Sequence, residues 1–556
     1  ANESIIRSTT VSNSSVFVTR GSQGGGLVGH CNNCEVTTST SQNNLIHGTS
    51  VTDLLGGIIG YTTTGKVISS RSLNTTVYGE YQVAGLIGHM DTNSHVMNSY
   101  VSGGIIKGAG SVGGVTGYIR KGSISETSVD ATISISHGGG DGGDNMGGII
   151  GYSYDDTTIH NSYFTGSVTG DVGVGGIAGQ MRDRGSISRT VAYNHTVTGN
   201  ASVDDFLGIE VNANYILMNA NLYEDDTCGD ATALGCDHPT WGSEVRGLKT
   251  AQIKDASIWQ VNDHFFKFSG ASVGQVWKDN GAGNYPTLAN NTLCSAGYNY
   301  VVKDSTYATG DGSVGNPYVI TTLGELQGIE DDKTASYIIA NDLTGTDCDA
   351  IITIDSFSGT LDGQDYIISN LVFTPLNAND QTGLFGDPTS GNLDNINFEN
   401  IRSFGHSYAS AVVARCYNCT INDVHVKDAV IFGEDVVGGI IGYASDNSIL
   451  TYSSVKDSLL TGNMYIGGMV GYNQFGTNYS NEFSNNFVEN IEARGYLYVG
   501  GFFGRVTYYA KTYLNYIGYV EVSAAYDNSH GLFATHVATT FADLDFDDDG
   551  NADNYV

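Results

Sequence analysis

The chain has 556 residues, a formal charge of −34 and a pI near 4.4, with 40% hydrophobic and 15% charged residues. That balance excludes nucleic acid as an expected partner, because phosphate binding needs basic patches, and it argues equally against anionic membranes. No stretch is apolar for long enough to span a bilayer, and no signal-peptide pattern stands at the start.

Residues 5–18 read at once as short strands: Ile5-Ile6-Arg7-Ser8-Thr9-Thr10-Val11, then Ser15-Val16-Phe17-Val18. The expectation is that upstream sequence, another module or another subunit covers this edge, since an open coil end exposes unpaired backbone groups. A glycine phrase then begins and returns. Its second glycine stands at Gly26, Gly57, Gly85, Gly114, Gly148 and Gly176, in steps of 31, 28, 29, 34 and 28. The fullest form is Gly56-Gly57-Ile58-Ile59-Gly60-Tyr61. A fixed period of this size predicts a solenoid. Between the phrases, β-branched and aromatic residues alternate with Ser, Thr and Asn, as in Val67-Ile68-Ser69-Ser70-Arg71-Ser72-Leu73. Such runs predict strands, so each coil is expected to hold about three of them in a right-handed parallel β-helix. The phrase itself reads as one strand covered on both faces, its glycines allowing close backbone approach. The glycine-rich run 137–145 reads as a loop inserted into the 34-residue coil.

The phrase lapses for about 200 residues and then resumes at Gly383, Ala411, Gly439, Gly468, Gly501 and Gly531, in steps of 28, 28, 29, 33 and 30. The reading is therefore two arrays in tandem: 1–239, an exit or capping segment 240–292, a second array with its own entry segment 293–540, and an acidic tail 541–556.

The phrase is similar to the GLUG motif of bacterial adhesin-like β-helix proteins. Gly312-Ser313-Val314-Gly315-Asn316-Pro317-Tyr318 with Leu323-Gly324-Glu325-Leu326 resembles the family's entry segment, and Gly359-Thr360-Leu361-Asp362-Gly363 its first coil. Gly247-Leu248-Lys249-Thr250, Val276-Trp277 and Tyr285-Pro286-Thr287-Leu288 resemble its exit segment. The resemblance implies a cell-surface or secreted bacterial protein whose repeats are non-catalytic.

Eight cysteines fall into four neighbouring pairs: Cys31/Cys34, Cys228/Cys236, Cys294/Cys348 and Cys416/Cys419. Even number and local spacing predict disulfides formed in an oxidising compartment. Zinc would need four ligands together, and a redox motif a helix N-terminus. Neither is expected here.

Asp543, Asp545, Asp547, Asp549, Asn551 and Asp553 form an Asp-x-Asp-x-Asp-Gly run whose alternating carboxylates suit Ca²⁺. It resembles thrombospondin type 3 and dockerin loops; the twelfth position that an EF-hand fills with Glu is Val556. Structural Ca²⁺ is the expected cofactor. The other acids, at Asp155-Asp156, Asp204-Asp205, Glu224-Asp225-Asp226 and Asp331-Asp332, are scattered and suggest no catalytic centre. His30 and His89 occupy the position held by Tyr61, Tyr118 and Tyr152 in other coils, which suggests packing. The 34 tyrosines are candidates for ladders or contact faces. The expected function is a non-catalytic stalk or adhesin segment. Its partners would be copies of itself, flanking modules, or surface glycans and proteins. A self-assembling filament subunit and a polysaccharide-acting β-helix enzyme are the alternatives.

Overall fold

The structure is a computed structural model. It describes residues 4–531 apart from short stretches, the longer being 50–53, 136–144, 212–215, 228–235, 263–276, 289–298, 375–380, 475–480 and 525–529. The glycine-rich run up to 144 and the acidic tail lie outside the described residues. The chain forms two compact units, Ala1–Gly297 and Tyr298–Val556.

Each unit is a parallel β-solenoid. In the first, one coil runs Leu54–Gly56, Ile59–Thr63, Lys66–Ile68, Arg71–Leu73 and Thr76–Tyr78, and each strand pairs in parallel with its counterpart one coil away. The glycine phrase is not one strand, as the sequence suggested. It divides at Gly57-Ile58, where the chain turns a corner between two sheets. The coil also carries more strands than the expected three, because the strands are only three to five residues long.

The corners explain this. Positive φ recurs every five residues, at Thr64, Ser69 and Asn74, again at Asn33, Thr38 and Asn43, and in the second unit at Asn418, Asp423 and Asp428. A left-handed residue reverses the extended path in a single step, and Asn and Asp tolerate it best among non-glycine residues. Three-residue strands separated by such corners square off the coil.

Crowding at the glycine corner dictates its composition. A Cβ on Gly57 would sit 2.0 Å from the carbonyl oxygen of Gly85, and one on Gly148 at 2.0 Å from that of Gly176. The same clash with the next coil's oxygen recurs at Gly26, Gly85, Gly114, Gly439 and Gly468. At Gly383 the nearest atoms stand farther off, at 3.0 Å, and Ala411 takes the glycine's place one coil later. Gly500 and Gly531 pair along the same sheet of the second unit, with Gly501 at the corner between them and the strand Phe503–Val506.

The cores are stacked rows of Val, Ile, Leu and Phe. Val36, Val67, Val96, Ile124, Ile159 and Ile187 form one fully buried column in the first unit. Inside the coils runs a column of hydroxyls. The amide of Ser39 donates to Ser70 Oγ (3.0 Å), and that of Ser70 to Ser99 Oγ (3.1 Å). Each hydroxyl donates to the carbonyl two residues before it, Ser70 to Ile68 at 2.9 Å and Ser99 to Met97 at 2.8 Å. Thr127 and Ser162 continue the column, and Asn221 ends it by accepting from the Thr190 amide and donating to the Ile187 carbonyl. The backbone amides at these corners are thereby satisfied in a dry interior.

At the far side of the first array, Gly242–Leu248 adds a last parallel strand against Asn221–Glu224. The helices Thr250–Ile253 and Ala256–Asn262 follow, and Trp259 and Trp277 are fully buried. Tyr285 stacks on Tyr193 at 4.6 Å, and the Tyr193 hydroxyl donates to the Pro286 carbonyl at 2.8 Å. The exit segment thus packs on side chains of earlier coils as well as extending the sheet. In the second unit, the helix Leu323–Gly328 is closed by a Thr322/Glu325 capping box and buries Leu326, with Ile329 following it into the core.

Candidate functional site

The most organised surface feature is a ladder at the fourth position after each corner glycine. In the first unit His30, Tyr61, His89, Tyr118 and Tyr152 are in register on successive coils. Their ring centroids lie 4.8, 4.9, 4.6 and 5.4 Å apart. His30 and His89 thus pack as rungs among tyrosines. Burial lowers the His89 pKa to about 4, against the pull of Asp91 and with the help of Arg120, and its Nδ1 shares a 2.6 Å hydrogen bond with Gln82 Oε1. Burial likewise raises Tyr118 to about 12. His89 and Tyr118 are thereby neutral over a wide range of pH.

The second unit carries Arg415, Tyr443, Tyr472 and Arg505 at the same position, again in register. Across the glycine corner a second row holds Tyr408, Val436, Tyr465 and Tyr498. The Arg415 guanidinium lies 5.0 Å from the Tyr408 ring centre, 4.9 Å from Tyr417 and 5.9 Å from Tyr443. Arg505 lies 5.3, 5.4 and 5.2 Å from Tyr465, Tyr472 and Tyr498. Tyr465 stacks on Tyr472 at 4.8 Å and on Tyr498 at 5.4 Å, the latter pair nearly parallel at 6°. The tyrosines and arginines of these rows are half-buried, and Val436 is buried. The sequence showed the Tyr rungs but not that Arg415 and Arg505 share their position. Counting four residues from Ala411 and Gly501 finds both.

A shallow groove of about 480 Å³ lies on another face of the second unit, lined by Asp365, Asn397, Glu399, His425, Lys427 and Lys456 among others. His425 shares 2.9 Å hydrogen bonds with Asp423 Oδ1 and Ser454 Oγ. Lys427 pairs with Glu399 at 3.1 Å and Lys456 with Glu489 at 4.0 Å. Both lysines of the groove are therefore paired with acids.

Several of the scattered acids are occupied structurally, while Asp156 lies outside the described residues. Asp204 meets His238 at 3.1 Å, and Asp205 meets His195 at 3.4 Å. Glu224 accepts from Tyr285 and Thr250, tying the exit segment to the array. Asp331 pairs with Lys303. Among the described residues no cluster of three or more His, Cys, Asp or Glu is gathered to hold a metal. The expected calcium ligands Asp543 to Asp553 lie outside the described residues. Cys31 is bonded to Cys34 and Cys416 to Cys419, with Cα separations of 5.6 and 5.7 Å. Cys236 and Cys348 are also disulfide-bonded, and their expected partners Cys228 and Cys294 lie outside the described residues.

Comparison with known proteins bears on the same features. Residues 142–169 match the family model described as the GLUG motif. Over 243 residues the chain is 30% identical to halomucin of Haloquadratum walsbyi, a stretch that is 38% of this chain and 3% of that protein's length. A solved PL6 family alginate lyase aligns over 91% of this chain and 86% of its own, at 11% identity and a TM-score of 0.14, too slight a likeness to bear on activity. The chain carries a GLUG motif within a parallel β-solenoid and resembles a stretch of halomucin.

Proposed function

We propose that the chain is a non-catalytic structural segment of an extracellular or cell-surface protein, a β-solenoid that displays long ladder faces to a partner. The observation that carries this is the coil-to-coil repetition of the ladder position, from His30 through Tyr152 in one unit and from Arg415 to Arg505 in the other. A catalytic pocket concentrates unlike groups at one place, whereas these faces repeat like groups along an axis. The GLUG motif, the likeness to halomucin and the local disulfides support an oxidising, external setting. Structural Ca²⁺ at Asp543–Asp553 is part of the proposal.

The test is immunogold labelling of intact source cells with antibody raised against this chain. Labelling of unbroken cells or of shed material is the expected outcome. Gold found only in broken cells would refute it.

A further inference from the structure

The two ladders occupy equivalent positions but differ in chemistry. In the first unit the rungs are Tyr and His, followed by Gln180 and Ile209, and the row across the corner holds Gln82 and Leu54. Ring stacking holds that ladder together, helped by hydrogen bonds from His89 to Gln82 and from Tyr61 to Asp91. The second unit places a guanidinium at each end of one row with Tyr443 and Tyr472 between them, and its neighbouring row holds Tyr408, Val436, Tyr465 and Tyr498.

In a chain of charge −34, each of these two guanidinium groups lies among three tyrosine rings. Five other surface cations are paired with acids: Lys427 with Glu399, Lys456 with Glu489, Lys303 with Asp331, Arg120 with Asp91 and Arg246 with Asp237, while Lys107 and Lys254 lie singly over the rings of Tyr78 and Tyr285. Among the described residues, neither Arg415 nor Arg505 forms an ion pair. Among the described residues their Nε atoms, shielded from solvent, have no hydrogen-bond partner, and the one hydrogen bond from either guanidinium runs from Arg505 Nη1 to the Tyr465 hydroxyl at 2.8 Å. Tyrosine faces hold the planar groups in place and leave their donors without an acid. An unmatched guanidinium in a strongly acidic protein is a fork for a ligand's carboxylate.

The spacing narrows the ligand. Arg415 and Arg505 stand three coil steps apart, or about 14 Å at the usual strand spacing of about 4.8 Å. Between them each coil offers a tyrosine at an interval close to the advance of one pyranose unit in an extended glycan. The slightly positive C–H edges of a sugar suit the electron-rich face of an aromatic ring. At the rim, Gln474 accepts from the Tyr443 hydroxyl at 3.2 Å, and Thr507 meets the Tyr472 hydroxyl at 3.4 Å, so amide and hydroxyl groups stand within reach of sugar hydroxyls.

We propose that this face of the second unit binds a uronate-bearing polysaccharide, its sugar rings against Tyr443, Tyr465 and Tyr472 and its carboxylates on Arg415 and Arg505. This rests on the surface-protein reading above and names the partner of one ladder.

The experiment uses the full chain. Binding of oligogalacturonate is measured by calorimetry, beside its methyl-esterified counterpart, a chondroitin sulfate oligomer and poly-glutamate. Arg415→Gln, Arg505→Gln and the double variant are compared, glutamine being the residue already at the equivalent Gln180. Circular dichroism establishes that each variant is folded. Oligogalacturonate should bind, weaken with added salt, and lose about tenfold in affinity per arginine removed. Equal binding of the methyl ester, or parent-like binding by the double variant, would overturn the proposal. So would tighter binding of poly-glutamate or of the sulfated oligomer, or no binding of oligogalacturonate at all. Labelled intact cells together with no glycan binding would sink this inference alone, whereas label confined to broken cells would sink the surface reading.

Discussion

Replacing Gly57 with alanine tests the steric logic of the solenoid directly. The new Cβ would lie 2.0 Å from the Gly85 carbonyl oxygen and 2.5 Å from Ser72 Oγ, against an ordinary contact of 3.4–4 Å. Ser72 can rotate, but the Gly85 oxygen belongs to backbone whose own amide is bound to the Gly114 oxygen at 2.9 Å. The coils must therefore part locally by roughly an ångström or more. That strains the bonds from Gly57 N to Ala84 O (3.1 Å) and from Ile58 N and Ile59 N to Leu86 O (both 2.9 Å). Losing two or three net hydrogen bonds at about 1 kcal/mol each, with overpacking of about 1–3 kcal/mol, predicts a loss of about 3–6 kcal/mol. Denaturant titration followed by far-ultraviolet circular dichroism measures it. Gly315→Ala is the control, because nothing lies within 4 Å of its added Cβ. A Gly57→Ala midpoint equal to that of the control would refute the account of the glycine phrase.

Ser70→Ala should cost about 1–3 kcal/mol, because the buried Ser39 amide loses its acceptor; the same denaturant titration measures this, and a neutral result would mean the hydroxyl column is incidental. His89 has its folded pKa lowered to about 4 by burial, so the unfolded chain binds the proton more readily. The stability from its neutral form is fully present above about pH 6.5 and falls as pH drops toward 4, by an amount on the order of 2–3 kcal/mol. His89→Tyr, which restores the commoner rung, should flatten the melting temperature over that window, and an unchanged pH profile would contradict the burial argument. Mass spectrometry of a non-reduced digest should find Cys31 joined to Cys34 and Cys416 to Cys419, with Cys236 and Cys348 also blocked; free thiols at any of them would count against the extracellular setting. Calorimetry with Ca²⁺ should show heat from the full chain that disappears on truncation after Thr540, and equal heats would reduce the acidic tail to a solvated run.

How far the fold could be read from the sequence depends on which atoms crowd which. The glycine period was legible because a backbone oxygen at 2.0–2.3 Å from the would-be Cβ admits no other residue at Gly26, Gly57, Gly85, Gly114 and Gly148. The corners were not, because the left-handed positions tolerate many residues: Thr38, Glu126, Tyr452 and Leu514 stand there as well as Asn. Without a marked corner, three-residue strands merge into longer apparent runs. Ser39, Ser70 and Ser99 alternate with apolar neighbours as surface residues do, yet they point inward, which only the backbone bonds they accept reveals. Of the candidate site, the histidine rungs were legible by their exchange with tyrosine. The arginine rungs were hidden because Arg415 follows Ala411, a corner where alanine replaces glycine.

The inner hydroxyl column has a direction. Each amide waits for a hydroxyl that the chain supplies only in the following coil, as Ser39 waits for Ser70 and Ser70 for Ser99. A coil is thus completed by its successor, and its backbone is not fully paired until about thirty more residues have been laid down. Lengthening or shortening such an array by whole coils leaves every amide with its acceptor, whereas a change of part of a coil breaks the column at one level. The array's length is therefore free to drift by duplication, while its phase is held fixed by one small polar side chain per turn.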